Sequence, residues 1–155
     1  SFSDFEVNFV QTFEAGSPRP PCPPYEGFYR KVEVHTAVML EVSEFYKHFG
    51  LAMSQESGKR ELPDHLRAKL EFLHLLTFKE TQAGKDGNPE LLKGYLQAQK
   101  DFLERHLMQW VPKFYEALKK SPCSPFYVQL ARITSMFITH DFDWVAAHLR
   151  NFKVA

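Results

Sequence analysis

A chain of 155 residues has room for one domain with a proper core, and too little for two. Its 44% apolar and 25% charged residues exclude a disordered chain. Lys+Arg and Asp+Glu are equal at 19 each, so the chain lacks the cationic excess on which binding to nucleic acid or an anionic membrane rests.

Helical periodicity organises the chain from its start. Phe2, Phe5, Phe9 and Phe13 recur at steps of three and four, predicting an aromatic-striped helix over 2–14 that Gly16 stops. Residues 17–24 hold five of the ten prolines, which predicts an extended, polyproline-like linker on the surface. From Tyr25 the chain is expected to turn helical, with Val38, Val42, Phe45 and Phe49 as one stripe and Gly50 just past the end. Residues 54–61 read as a polar loop. Pro63 then suits the first helical position, with Asp64 in the first turn. Leu66, Leu70, Leu73 and Leu76, widened by Phe72, Leu75 and Phe78, predict a helix central to the core.

Asn88-Pro89 is a cap followed by a first-turn proline, opening a helix whose buried face includes Gln99, Phe102, Leu103, His106 and Trp110. Pro112 predicts a kink or short break near 108–111. A further helix then carries Phe114, Tyr115 and Leu118 to Lys119-Lys120. Ser124-Pro125 repeats the cap signal, and Phe126, Leu130, Ile133 and Phe137 continue as a core stripe. Asp141 or Asp143 is expected to cap a last helix holding Val145, Leu149 and Phe152. The fold class is all-α: a single-domain bundle of six or seven helices spanning 1–155.

No signature of an enzyme emerges. The seven glycines form no phosphate loop and no nucleophile elbow is present. Glu61, Asp64 and His65 could orient an imidazole for proton transfer, but an acidic helix start explains the same residues. His106 and Trp110 lie one turn apart and read as a packed framework pair. A metal site there would need His140, Asp141 or Asp143, and no His-x-x-x-His spacing supports it. No cofactor is expected. Cys22 and Cys123 form no Cys-x-x-Cys pair and read as reduced thiols. Apolar runs such as 133–139 fall far short of the roughly 20 residues that span a bilayer. The start, Ser1-Phe2-Ser3-Asp4, carries no basic or apolar leader. A cytoplasmic protein without stable membrane insertion is expected. Tyr25, Phe28 and Tyr29, following a stiff proline run, either line a peptide groove or seal the linker against the core.

Three blocks together resemble the TorD/DmsD/NarJ family of redox-enzyme maturation chaperones, nearer its TorD/DmsD side. They are Phe13 with the proline linker and Pro-Pro-Tyr-Glu-Gly-Phe-Tyr-Arg (23–30), then Glu-Leu-Pro-Asp-His-Leu (61–66), then the Gln99 to Phe114 segment holding His106, Leu107, Trp110 and Pro112. The resemblance implies a helical cytoplasmic chaperone that binds the N-terminal twin-arginine signal peptide of a molybdenum-cofactor oxidoreductase subunit. It would hold the apo form of that subunit and delay export until the cofactor is inserted. Carried over by motif, the peptide-binding residues are Phe13, Tyr25, Glu26, Phe28, Tyr29, Glu61, Leu62, Pro63, Asp64 and His65. Carboxylates would meet the two arginines and rings the apolar stretch after them. Family members carry helices ahead of the segment matched by 2–14. The resemblance therefore also implies uncovered apolar faces, to be met in a homodimer or a helix-exchanged oligomer. A general helical peptide-binding or oligomerisation module, and a nucleotide-binding hydrolase, are the alternative readings.

Overall fold

The computed structural model describes residues 2–30, 35–51 and 62–152; the polar loop expected at 54–61 lies outside them. Helices dominate the described residues, and an isolated bridge between Tyr25 and His65 stands among them in place of any sheet. Helix α1 (Phe2–Phe9) runs on into a π turn (Val10–Glu14), and a short 3-10 turn covers Glu26–Phe28. Then follow α2 (His35–His48), α3 (Leu66–Lys85), α4 (Pro89–Phe102), α5 (Met108–Lys120) and α6 (Pro125–Asn151). Among the described residues no helix is long and apolar enough to cross a membrane.

The caps expected at Asn88 and Ser124 are present: Asn88 Oδ1 accepts from Leu91 N at 3.0 Å, and Ser124 Oγ from Phe126 N at 3.3 Å. Gly50 ends α2 at φ +82°, a left-handed conformation that costs glycine little.

Among the described residues the chain runs on through both expected interruptions, so five continuous helical bodies replace the predicted six or seven. α4 and α5 join through a π turn, Leu103–Leu107. Pro112 offers no N–H to the preceding turn, and the chain absorbs this irregularity as a bulge upstream rather than a break. Gln109 Nε2 donates to the Glu104 carbonyl at 2.9 Å within the bulge. Likewise α6 continues through Asp141 and Asp143. No glycine or proline lies between Phe126 and Asn151, and an aspartate alone does not end a helix.

Two further expectations are corrected at helix starts. The segment after Tyr25 makes a 3-10 turn and leaves helical conformation by Tyr29 and Arg30, and α2 is described from His35. α3 begins at Leu66, not Pro63, because His65 takes the cap: its Nδ1 accepts from Arg67 N at 3.0 Å.

The core gathers Val38, Val42 and Tyr46 of α2, Phe72, Leu73 and Leu76 of α3, Phe102 of α4, and Leu107, Trp110, Val111 and Phe114 around the π turn and α5. The proline linker is less superficial than expected: Cys22 is buried in this core, with its N–H on the Thr12 carbonyl at 3.0 Å. α6 contributes mainly the small or slender side chains Ala131, Ile138, Val145 and Ala146. Its predicted core stripe, Phe126, Leu130, Ile133 and Phe137, instead faces outward, each residue at least half exposed.

Candidate functional site

Two of the blocks singled out in the sequence meet in space. Leu66 N donates to Pro24 O at 2.9 Å and Glu26 N to Asp64 O at 3.1 Å, so segments 24–26 and 64–66 pair like a fragment of antiparallel sheet. The Gly27 N–H donates to Asp64 Oδ2 at 3.1 Å, and Tyr46 Oη donates to the Pro63 carbonyl at 2.8 Å. Gly27 fits tightly here: a Cβ would come within 3.0 Å of the His35 ring and 3.3 Å of the Asp64 carboxylate, and both side chains would have to give way. Tyr25 and His65 meet edge to face at 4.8 Å, and Phe28 packs against both Tyr25 and His35.

Beneath this corner lies a buried charge cluster. Glu26 is fully buried between Lys69 Nζ at 2.5 Å and Arg30 at 2.7 Å, with His106 Nδ1 at 3.2 Å. Burial alone would raise the Glu26 pKa, but the His106 hydrogen bond and the Lys69 charge outweigh it and hold the carboxyl down at about 2. Lys69 is also fully buried, and desolvation lowers its pKa against the pull of Glu26. Burial lowers that of His106 as well. With two cations already on Glu26, the imidazole stays neutral at pH 7 and donates from Nδ1. Arg105 pairs with Glu41 just outside the cluster, and Glu41 lies 3.8 Å from His106 Nε2.

On the other side of Pro24 and His65 opens an apolar recess of about 560 Å³. Its walls come from Phe9 and Phe13, from Leu66 and Leu70 of α3, from Phe114 and Leu118 of α5, and from Tyr127, Leu130 and Ala131 of α6. Arg67 and Glu71 supply charge at its edge. A recess of this size and lining fits a few apolar side chains of a peptide. Among the described residues no group of three or more His, Cys, Asp or Glu side chains could hold a metal ion.

The predicted site residues thus divide. Tyr25, Phe28, Pro63, Asp64 and His65 share the corner, whereas Phe13 reaches the recess. Leu62 is exposed beside the corner and Glu61 lies outside the described residues. Glu26 points inward and is fully used. Asp64 is buried, with one oxygen on Gly27. Neither carboxylate stands on the surface, where a guanidinium could reach it unaided. Tyr29 turns inside and stacks on Trp110 at 5.7 Å. His106 and Trp110 are completely buried, and His106 packs on Phe45 and Phe102 and bonds to Glu26.

Sequence reasoning missed Lys69, which reads as an ordinary helix-surface residue, and the recess walls Leu70, Leu118 and Leu130, which read as core. The one available signal was the unusually broad apolar face of α3.

Residues 1–116 match the family model described as nitrate reductase delta subunit. The perchlorate reductase assembly chaperone protein of Dechloromonas aromatica is 37% identical over 139 residues, covering 89% of this chain and 60% of that protein. The selenate reductase assembly chaperone protein of Thauera selenatis is 34% identical over 114 residues, 74% of this chain and 57% of the relative. The chaperone protein TorD of Vibrio cholerae is 34% identical over 86 residues, 56% and 38% respectively. The chain therefore spans under two thirds of the length of these relatives.

Proposed function

The chain belongs to the nitrate reductase delta subunit family, and on that premise we propose that it is an assembly chaperone for a molybdopterin-dependent oxidoreductase subunit. It binds the N-terminal, twin-arginine signal segment of the apo subunit in the cytoplasm and delays export until the cofactor is in place. The observation that carries this reading is the apolar recess beside the Tyr25–His65 corner. A signal segment offers an apolar stretch next to its cations, and the recess offers apolar walls with an exposed carboxylate, Glu71, at its edge. The rigid pairing of 24–26 with 64–66 presets one wall, which lowers the ordering cost of binding. The proposal assigns no catalytic step to the chain.

Titration calorimetry with a synthetic twin-arginine leader peptide tests this reading. Saturable binding is expected, weakened about tenfold or more by Leu70→Glu, which places a charge in the apolar wall. Undiminished affinity of that variant, with its helical content intact, rules the recess out. Equal affinity for a peptide with both arginines replaced by glutamine removes the electrostatic half of the proposal.

A further inference from the structure

The apolar recess beside His65 is the mouth of a longer valley. Its walls on α3 and α6 come from the early turns of each helix, Leu66 to Glu71 on one side and Tyr127 to Thr134 on the other. Farther along the same two helices Glu80 and Asp141 still sense one another: burial, and then the Glu80 charge, raise the Asp141 pKa. Glu80 lies as far beyond Leu70 as Asp141 lies beyond Ala131, so α3 and α6 run side by side in the same direction over this stretch. Beneath them α4 packs against both, and Gln99 Nε2 donates to Glu80 at 2.8 Å.

The helix faces that edge the recess repeat along this valley. Phe78 follows Glu71, and Phe137 follows Leu130, by two helical turns, which returns each helix to nearly the same side about 10 Å farther on. Phe78 is 56% exposed and Phe137 52%. Two large rings left half in water on opposite walls of one valley mark a surface made for contact.

The occupant follows from size. A recess of about 560 Å³ seats a few apolar side chains, whereas the apolar stretch of a leader runs to roughly 7–15 residues. Wound as a helix, such a stretch is about 10–22 Å long, and the recess edge from Tyr127 to Thr134 accounts for roughly 10 Å of it. The remainder needs a second apolar seat in line with the first, and Phe78 and Phe137 are placed to give it. The acids Glu80 and Asp141 close the valley to further apolar side chains, which would strip water from both carboxyls.

We propose that the valley between α3 and α6 holds the client's apolar stretch along its length. Phe78 and Phe137 grip the part that passes beyond the recess, and Glu80 with Asp141 marks where that part must end. The assignment rests on the chaperone reading, and two synthetic leaders separate the two claims. Each carries the arginine pair, followed by about four apolar residues in the short peptide and about ten in the long one. Calorimetry should show the long peptide binding at least about tenfold tighter. Phe78→Ser and Phe137→Ser should each cost the long peptide about fivefold and leave the short one unchanged, because each removes a ring beyond the recess. Both rings are half exposed, so circular dichroism should report an unchanged fold. A long peptide that binds no tighter than the short one overturns the assignment and leaves the recess reading standing. Serine variants that bind the long peptide as the wild type does, or that weaken both peptides alike, overturn it equally. If neither peptide binds, the chaperone reading falls and takes this assignment with it.

Discussion

Beneath the 24–30 loop this protein buries Glu26, Lys69 and His106 completely, whereas along the outside of α6 it leaves the four large apolar side chains of one stripe at least half exposed. By composition alone the two regions should have been the other way round. The difference teaches that periodicity specifies a face but not what covers it. Lys69 is inside because Glu26, brought over by the pairing of 24–26 with 64–66, supplies its counter-charge at 2.5 Å. The α6 stripe is outside because α4 and α5 already fill the opposite face, which is lined by Ala131, Ile138, Val145 and Ala146. Small side chains there let the helices approach closely, and the bulky ones are left over.

The largest way to break this contrast is Lys69→Met. It takes the fully buried counter-charge from Glu26, leaving the carboxylate to Arg30 and His106, and urea denaturation should show a loss of about 3 kcal/mol. Combining it with Glu26→Gln should recover much of that loss, because both fully buried charges are then gone and the partly exposed Arg30 can turn to water. No recovery would mean that Lys69 matters through packing rather than charge.

Acid probes the same region without mutation. The Glu26 carboxyl sits at about 2 in the folded protein against an ordinary 4.5, so the unfolded chain binds the proton first and stability falls with pH over that interval. The shift corresponds to about 3 kcal/mol. His106, also lowered from its ordinary 6.5, adds loss of the same sign as pH drops below 6.5. Denaturation midpoints measured from pH 7 to pH 3 should decline steadily, and Glu26→Gln should flatten the lower part of that curve.

A smaller effect is expected where the two blocks meet. Asp64→Ala leaves the buried Gly27 N–H without its acceptor, at a cost of about 1–3 kcal/mol. Faster amide exchange at Gly27 should accompany it, whereas unchanged exchange would show that another group takes over the bond.

The smallest effect belongs to the stripe. Ile133→Ser should move stability in urea denaturation by no more than about 0.5 kcal/mol, because the side chain is exposed. A loss several times larger would place Ile133 under intramolecular cover and dissolve the comparison.

Much of the fold was legible because its signals are local. Asn88-Pro89 and Ser124-Pro125 start helices wherever they fall, since the cap and the first-turn proline act on their own backbone. The missed joins have a different cause. Pro112 is tolerated because a π turn upstream rearranges the hydrogen bonds, and that turn has no sequence signature of its own. For the site, the residues of the corner were readable as motifs, but the direction of each side chain was not. Glu26 reads as an acid for a guanidinium partner and turns out to be held by Lys69 and Arg30 from within its own chain.

The sequence by itself determined an all-helical chain and the starts of α4 and α6, because propensity, capping and spacing are written within a few residues. The tertiary structure decided which faces are covered, that Glu26 and Lys69 neutralise one another in the interior, and that an apolar recess opens beside His65. Those outcomes depend on contacts between residues far apart in the chain, as between Glu26 and His106, 80 positions apart, or Phe9 and Tyr127. Burial and pairing free energies of that kind belong to the packed arrangement and to no single stretch of chain.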